Sequence, residues 1–106
     1  MSVTPALELD IAQLAKALGH PTRVRMLRML LSHDACYCGE LVDEVGLAQA
    51  TTSQHLKVLK DAGLIVGQIE GPRTCYCPNS ERLAELHALI GAMLAEAVEV
   101  DTSGCA

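Results

Sequence analysis

At 106 residues, half of them apolar, the chain is the size of a single domain built around one hydrophobic core. Its only aromatics are two tyrosines, so Leu, Val, Ile, Met and Ala must fill that core, a set suited to packed helices. The net charge of −5 argues against a generic nucleic-acid coat, no apolar run nears the ~20 residues that cross a bilayer, and the start lacks a secretory signal.

Leu7, Ile11, Leu14, Ala15 and Leu18 recur at helical spacing, with Thr4-Pro5 as the start and Gly19 as the stop. Pro21 opens a second helix over 21–32, with Val24, Leu27, Leu30 and Leu31 on one face and a local charge of +3 from Arg23, Arg25 and Arg28. Cys36-Tyr37-Cys38 reads as a short extended segment. Residues 39–45 read as one or two helical turns with Leu41, Val42 and Val45 inward. After the turn at 46–48, a helix over 49–62 places Thr52, Leu56 and Leu59 on its buried stripe and ends on Gly63 as a left-handed residue.

Residues 64–69 are rich in β-branched side chains, 70–73 form a turn and 74–77 return as a second strand, giving a β-hairpin. Asn79-Ser80 caps a last helix carrying Leu83, Leu86, Leu89, Ile90, Met93, Leu94, Ala97 and Val98. That stripe is wider than one neighbour covers, so part of it is expected to face a partner subunit. Residues 101–106 are expected to fray. The predicted order is α-α-β-α-α-β-β-α: mainly helical, with a small hairpin, in one domain spanning 1–106. Negative charge gathers in 33–45 and in the tail, away from 46–63, whose Lys57, Lys60 and Asp61 sum to +1.

Four of the five cysteines sit in two copies of Cys-Tyr-Cys, at 36–38 and 75–77. In an extended segment, side chains alternate, so both sulfurs of each copy lie on one face. If the two segments pair, four thiols converge. In a cytoplasmic chain, where thiols stay reduced, such a set binds metal or reacts more often than it staples a fold. Cys105, on the tail, is a further candidate. His20, in a Gly-His-Pro turn, reads as a surface or capping residue, and His33 and His87 have no partner at ligand spacing. No Ser/His/Asp set, Gly-rich phosphate loop or catalytic pair is present, so no enzyme and no organic cofactor are expected.

Leu18-Gly19-His20-Pro21-Thr22-Arg23 and the block from Gln49-Ala50-Thr51-Thr52-Ser53-Gln54-His55-Leu56 through Lys57-Val58-Leu59-Lys60-Asp61-Ala62-Gly63-Leu64-Ile65 resemble the ArsR/SmtB family of winged-helix repressors. The resemblance covers roughly residues 11–95 and implies a homodimer built by the first and last helices. It also implies a helix-turn-helix over 39–62, a wing over 64–77, and operator DNA released by a metal or metalloid. Two departures stand out: Ala48 where the family commonly has Ser at the start of the recognition helix, and Thr52 in place of a common Val.

The resemblance also sets 36–38 beside 75–77, because the short strand before the third helix pairs with the second strand of the wing. Cys36, Cys38, Cys75 and Cys77, with Cys105 in reserve, are then the ligand candidates. As(III) or Sb(III) would take three thiolates, and Zn or Cd four ligands. A dithiol–disulfide switch answering oxidant or sulfide is the competing reading. A thiol buffer or metallochaperone fits poorly with a recognition helix and wing. On the reader, Gln49, Thr51, Ser53 and Gln54 are the base-contact candidates, and Lys57, Lys60 and the wing residue Arg73 the phosphate contacts. His55 is a candidate for either a groove contact or helix packing, and Arg23 or Arg25 for a phosphate contact.

Overall fold

The hydroxyl of Thr4 accepts a hydrogen bond from the Leu7 amide at 3.3 Å, and Pro5 occupies the first turn, so the first helix, α1, runs Pro5–Ala17. The second, α2, spans Pro21–Leu31; its N-cap is His20, whose Nδ1 accepts from the Thr22 amide at 3.1 Å. The computed structural model describes residues 2–32, 48–70 and 73–97, without the side chains of residues 49, 68–70, 73 and 74. The extended segment expected at 36–38 and the helical turns at 39–45 lie outside the described residues. The chain then continues through α3 (Gln49–Asp61), β1 (Ile65–Glu70), β2 (Arg73–Pro78) and α4 (Ser80–Ala95). Four helices and one antiparallel hairpin are thus described.

The expected stop at Gly63 is a complete cap. Gly63 has φ +79°, its amide reaches the Lys60 carbonyl at 2.9 Å, and the Leu64 amide reaches the Leu59 carbonyl at 3.0 Å. This is the Schellman arrangement, and Leu59 and Leu64 supply its apolar contact, both fully buried. Asn79 caps α4 through its Oδ1 and donates from Nδ2 to the Gly63 carbonyl at 2.9 Å, bolting the end of α3 to the start of α4.

Leu14 and Ala17 of α1, Met26, Leu27 and Leu30 of α2, Leu56 and Leu59 of α3, Leu64, Ile65 and Leu86 form the core. The stripe expected on α2 is corrected here. Leu27 and Leu30 point inward as anticipated, but Met26 is fully buried while Val24 and Leu31 are exposed. The inward face is centred on 26, 27 and 30, the side that meets α3 and β2. On α1, Ala17 takes the buried place expected of Ala15, which is exposed.

Thr52 stands in this core almost fully buried, and its Oγ1 meets no hydrogen-bond partner among the described residues. A buried hydroxyl without a partner costs about 1–3 kcal/mol. Thr52→Val, which keeps the shape and removes the polar atom, is expected to raise stability by about 1 kcal/mol, read as a higher urea midpoint with an unchanged m-value.

Candidate nucleic-acid interface and thiol face

Helix α3 turns Thr52, His55, Leu56 and Leu59 inward and exposes Thr51, Ser53, Gln54, Lys57 and Lys60. Its N-cap, Ala48, offers no side-chain acceptor, so the expected weak cap is present and the first-turn amides are left to other partners. Lys57 pairs with Asp61 at 3.3 Å in the open, an exposed contact of small energetic weight. Gln49 opens α3 and Arg73 opens β2, and their side chains lie outside the described set.

Of the two roles open to His55, groove contact or helix packing, its surroundings favour packing. It is 9% exposed, its ring lies 4.4 Å from that of His20, and its Nδ1 stands 3.3 Å from Arg23 Nη1. A guanidinium only donates, so Nδ1 is the acceptor and neutral His55 carries its proton on Nε2. Arg23 also serves as a clamp. Its Nε donates to the Ala17 carbonyl at 2.7 Å and its Nη2 to the Lys16 carbonyl at 3.2 Å. The guanidinium therefore ties the end of α1 to α3 and sits where the carbonyls of a helix C-terminus favour a cation.

Burial, then His20, then Arg23 push the His55 pKa below its ordinary 6.5. The unfolded chain then binds more protons than the folded one below that value. Stability is complete above it and is lost as pH falls from 6.5 through the lowered folded value. Urea unfolding should show this decline in the wild type between pH 7.5 and 5, and a shallower one in His55→Asn, whose oxygen can still accept from Arg23.

Arg82 holds the other end of the reader. Its Nε donates to the Ala62 carbonyl at 3.3 Å, its Nη1 pairs with Glu85 at 2.6 Å and its Nη2 with Asp10 of α1 at 3.6 Å. One side chain thus fixes α3 to both α1 and α4. The Glu85 hydrogen bond is the main cause of its raised pKa.

In the hairpin, Cys75 pairs with Gln68, Tyr76 with Gly67 and Cys77 with Val66. Alternation places Cys75 and Cys77 on one face and Tyr76 on the other. Cys75 is 1% exposed, Cys77 is half-buried, and both are disulfide-bonded. Strand β2 carries two sulfurs on this face, so a three-thiolate centre there needs at least one more sulfur from another segment. Cys36, Cys38 and Cys105 lie outside the described residues. Among the described residues no three His, Cys, Asp or Glu side chains gather at metal-binding distance. His87 is exposed on α4.

The far end of α4 presents Ile90, Met93 and Leu94 to solvent at 48%, 41% and 74% exposure, and α1 adds Leu9 at 60%. Leu86, Leu89 and Ala92 take the inward face. The predicted excess of apolar width is therefore present on this subunit. No helix among the described residues is long and apolar enough to cross a membrane.

Residues 18–68 match a helix-turn-helix domain family. The chain is 36% identical over 95 residues to the HTH-type transcriptional regulator CmtR of Mycobacterium tuberculosis H37Rv, covering 90% of this chain and 77% of that one. Its fold overlays the homodimeric winged helix-turn-helix DNA-binding domain Mb0332 of Mycobacterium bovis, described as a possible ArsR-family regulator, with a TM-score of 0.65. Identity there is 30%, with 89% of this chain and 86% of that one covered. A possible transcriptional regulator for arsenical resistance overlays with a TM-score of 0.59 at 28% identity, over 82% of this chain and 97% of that one. With its reader, hairpin and last helix in this order, the chain belongs to the ArsR/SmtB family of winged helix-turn-helix transcriptional regulators.

Proposed function

We propose that the chain is a homodimeric repressor that holds a two-fold operator and releases it when As(III) or Sb(III) binds Cys75, Cys77 and at least one of Cys36 and Cys38. The observation that carries this reading is the hairpin strand β2, which bears two sulfurs on one face and a tyrosine on the other. A DNA-reading helix and a pair of soft ligands in one small domain make a ligand-responsive reader.

Arsenous acid exchanges its three hydroxyls for three thiolates. Each S–As bond forms as one As–O bond breaks, and the thiol protons leave as three waters without electron transfer. Any disulfide that holds Cys75 or Cys77 must first take two electrons and two protons, which a cellular dithiol supplies. Bound to three sulfurs, the metalloid draws segments together and biases the dimer towards a form with misaligned readers, a coupling of about 1–3 kcal/mol.

On the DNA side, Gln49, Thr51, Ser53 and Gln54 meet base edges while Lys57, Lys60 and Arg73 meet phosphate. Lys60→Ala should then weaken binding to all duplexes alike and reduce the salt slope by about 1, whereas Gln54→Ala should change sequence preference. If neither variant alters operator affinity, α3 is not the reader.

A second reading, a dithiol–disulfide switch, is favoured by one observation: Cys75 and Cys77 are both disulfide-bonded. In that case two thiols lose two protons and two electrons to an oxidant, and the oxidised dimer releases DNA. Fluorescence anisotropy separates the readings. The reduced protein is bound to a duplex that it selects from a random pool, then titrated with arsenite, antimonite, cadmium, zinc or oxidant. Release by the metalloids under reducing conditions supports the first reading. Release by oxidant alone, reversed by dithiothreitol, supports the second.

A further inference from the structure

We propose, on the sensing reading above, that Tyr76 is the positioning residue through which the state of the Cys75–Cys77 face reaches the recognition helix. Tyr76 sits between the two cysteines, and strand alternation sends its side chain to the opposite face of β2. There the ring is half-buried against the core. It closes a recess of about 320 Å³ whose other walls are Ser53, Leu56, Lys57, Lys60 and Asp61, all from α3.

The partner of Tyr76 across the hairpin is Gly67. A Cβ there would stand 3.7 Å from Tyr76 Cε1 and 3.6 Å from Lys60 Nζ, so ring and ammonium both lie over the backbone of Gly67. The tyrosine thus faces, across this recess, the side of the reader that carries Lys60, while its two neighbours in sequence carry the sulfurs. A strand cannot turn one face without turning the other. Drawing Cys75 and Cys77 towards a third sulfur rolls β2 about its axis and swings the ring against Leu56 and Lys60. That motion re-aims α3 without any ligand touching it.

The test compares operator Kd for wild type, Tyr76→Phe, Tyr76→Ala and Tyr76→Leu in the reduced, arsenite-loaded and oxidised states, with bound arsenite counted by native mass spectrometry. Wild type and Tyr76→Phe should lose at least about tenfold in affinity on loading. Tyr76→Ala should bind arsenite with wild-type stoichiometry yet shift less than about twofold, with its reduced-state Kd within about threefold of wild type. Tyr76→Leu, which keeps apolar packing but falls short of Lys60, should behave as Tyr76→Ala does and serves if the alanine variant fails to fold.

Full release in the arsenite-loaded leucine and alanine variants would overturn the role of Tyr76. So would loss of arsenite binding in them, since the residue would then build the site and not transmit its state. A wild type that answers oxidant but not arsenite removes the metalloid reading and leaves Tyr76 judged on the oxidised-to-reduced ratio. A wild type that answers neither overturns both.

Discussion

Serine at Cys75 should leave the reduced dimer on its operator and abolish release by arsenite, so that a loss of at least about tenfold in affinity on loading becomes none. The sulfur of Cys75 is the more buried of the two on β2, at 1% exposure, and a hydroxyl is a hard, weak ligand for a soft centre. The cost to folding is smaller. A buried serine hydroxyl needs a partner, and lacking one it lowers stability by about 1–3 kcal/mol, visible as a lower urea midpoint in a protein that still folds. Operator binding and arsenite response are measured on the same preparation by anisotropy. A Cys75→Ser protein that still releases DNA with arsenite places the sensor elsewhere in the chain.

Ile90→Glu should act on a different link, assembly, and with a larger effect on DNA. Ile90, Met93 and Leu94 are exposed on α4 of a single subunit, so a carboxylate at Ile90 is solvated in the monomer and does not disturb its core. In a dimer buried through this face, the same carboxylate loses its water without gaining a partner, a cost of several kcal/mol. Two half-sites can be held only by two readers fixed together. Operator affinity is therefore expected to fall towards non-specific binding, on the order of a thousandfold. Sedimentation should show monomeric Ile90→Glu beside dimeric wild type at micromolar concentration. A monomeric wild type would remove α4 as a dimer face.

The local signals in the sequence carried most of the described fold. Thr4-Pro5, Asn79 and Gly63 mark helix ends by their own chemistry, and each does so in the structure. The stripe Thr52, Leu56 and Leu59 was legible because it repeats at helical spacing, and His55 belongs to the same set, three residues after Thr52 and four before Leu59. Its inward place is therefore readable from the same spacing. On α2 the period was right, but its phase was not, since spacing alone does not say which neighbour covers a helix. Val24 and Met26 exchange roles for that reason.

Arg23 and Arg82 were hidden in another way. Arg23 reaches a histidine 32 residues away, and Arg82 reaches a carbonyl 20 residues earlier. No local pattern encodes contacts at that range. Charge alone does not reveal that the carbonyls at the end of α1 bind the Arg23 guanidinium. Tyr76 was half-legible: alternation gave its face, and only the packed structure placed α3 beneath it.

Cysteines of this chain, Cys75 among them, are expected to hold the metalloid that frees the operator. Arsenic K-edge absorption of the reduced, arsenite-loaded protein tests this most directly. An arsenic bound by three sulfurs is expected in the wild type, unchanged in Cys105→Ser and reduced in sulfur count in Cys75→Ser. A sulfur shell unaltered by Cys75→Ser, or an arsenic bound by oxygen alone in the wild type, would contradict it.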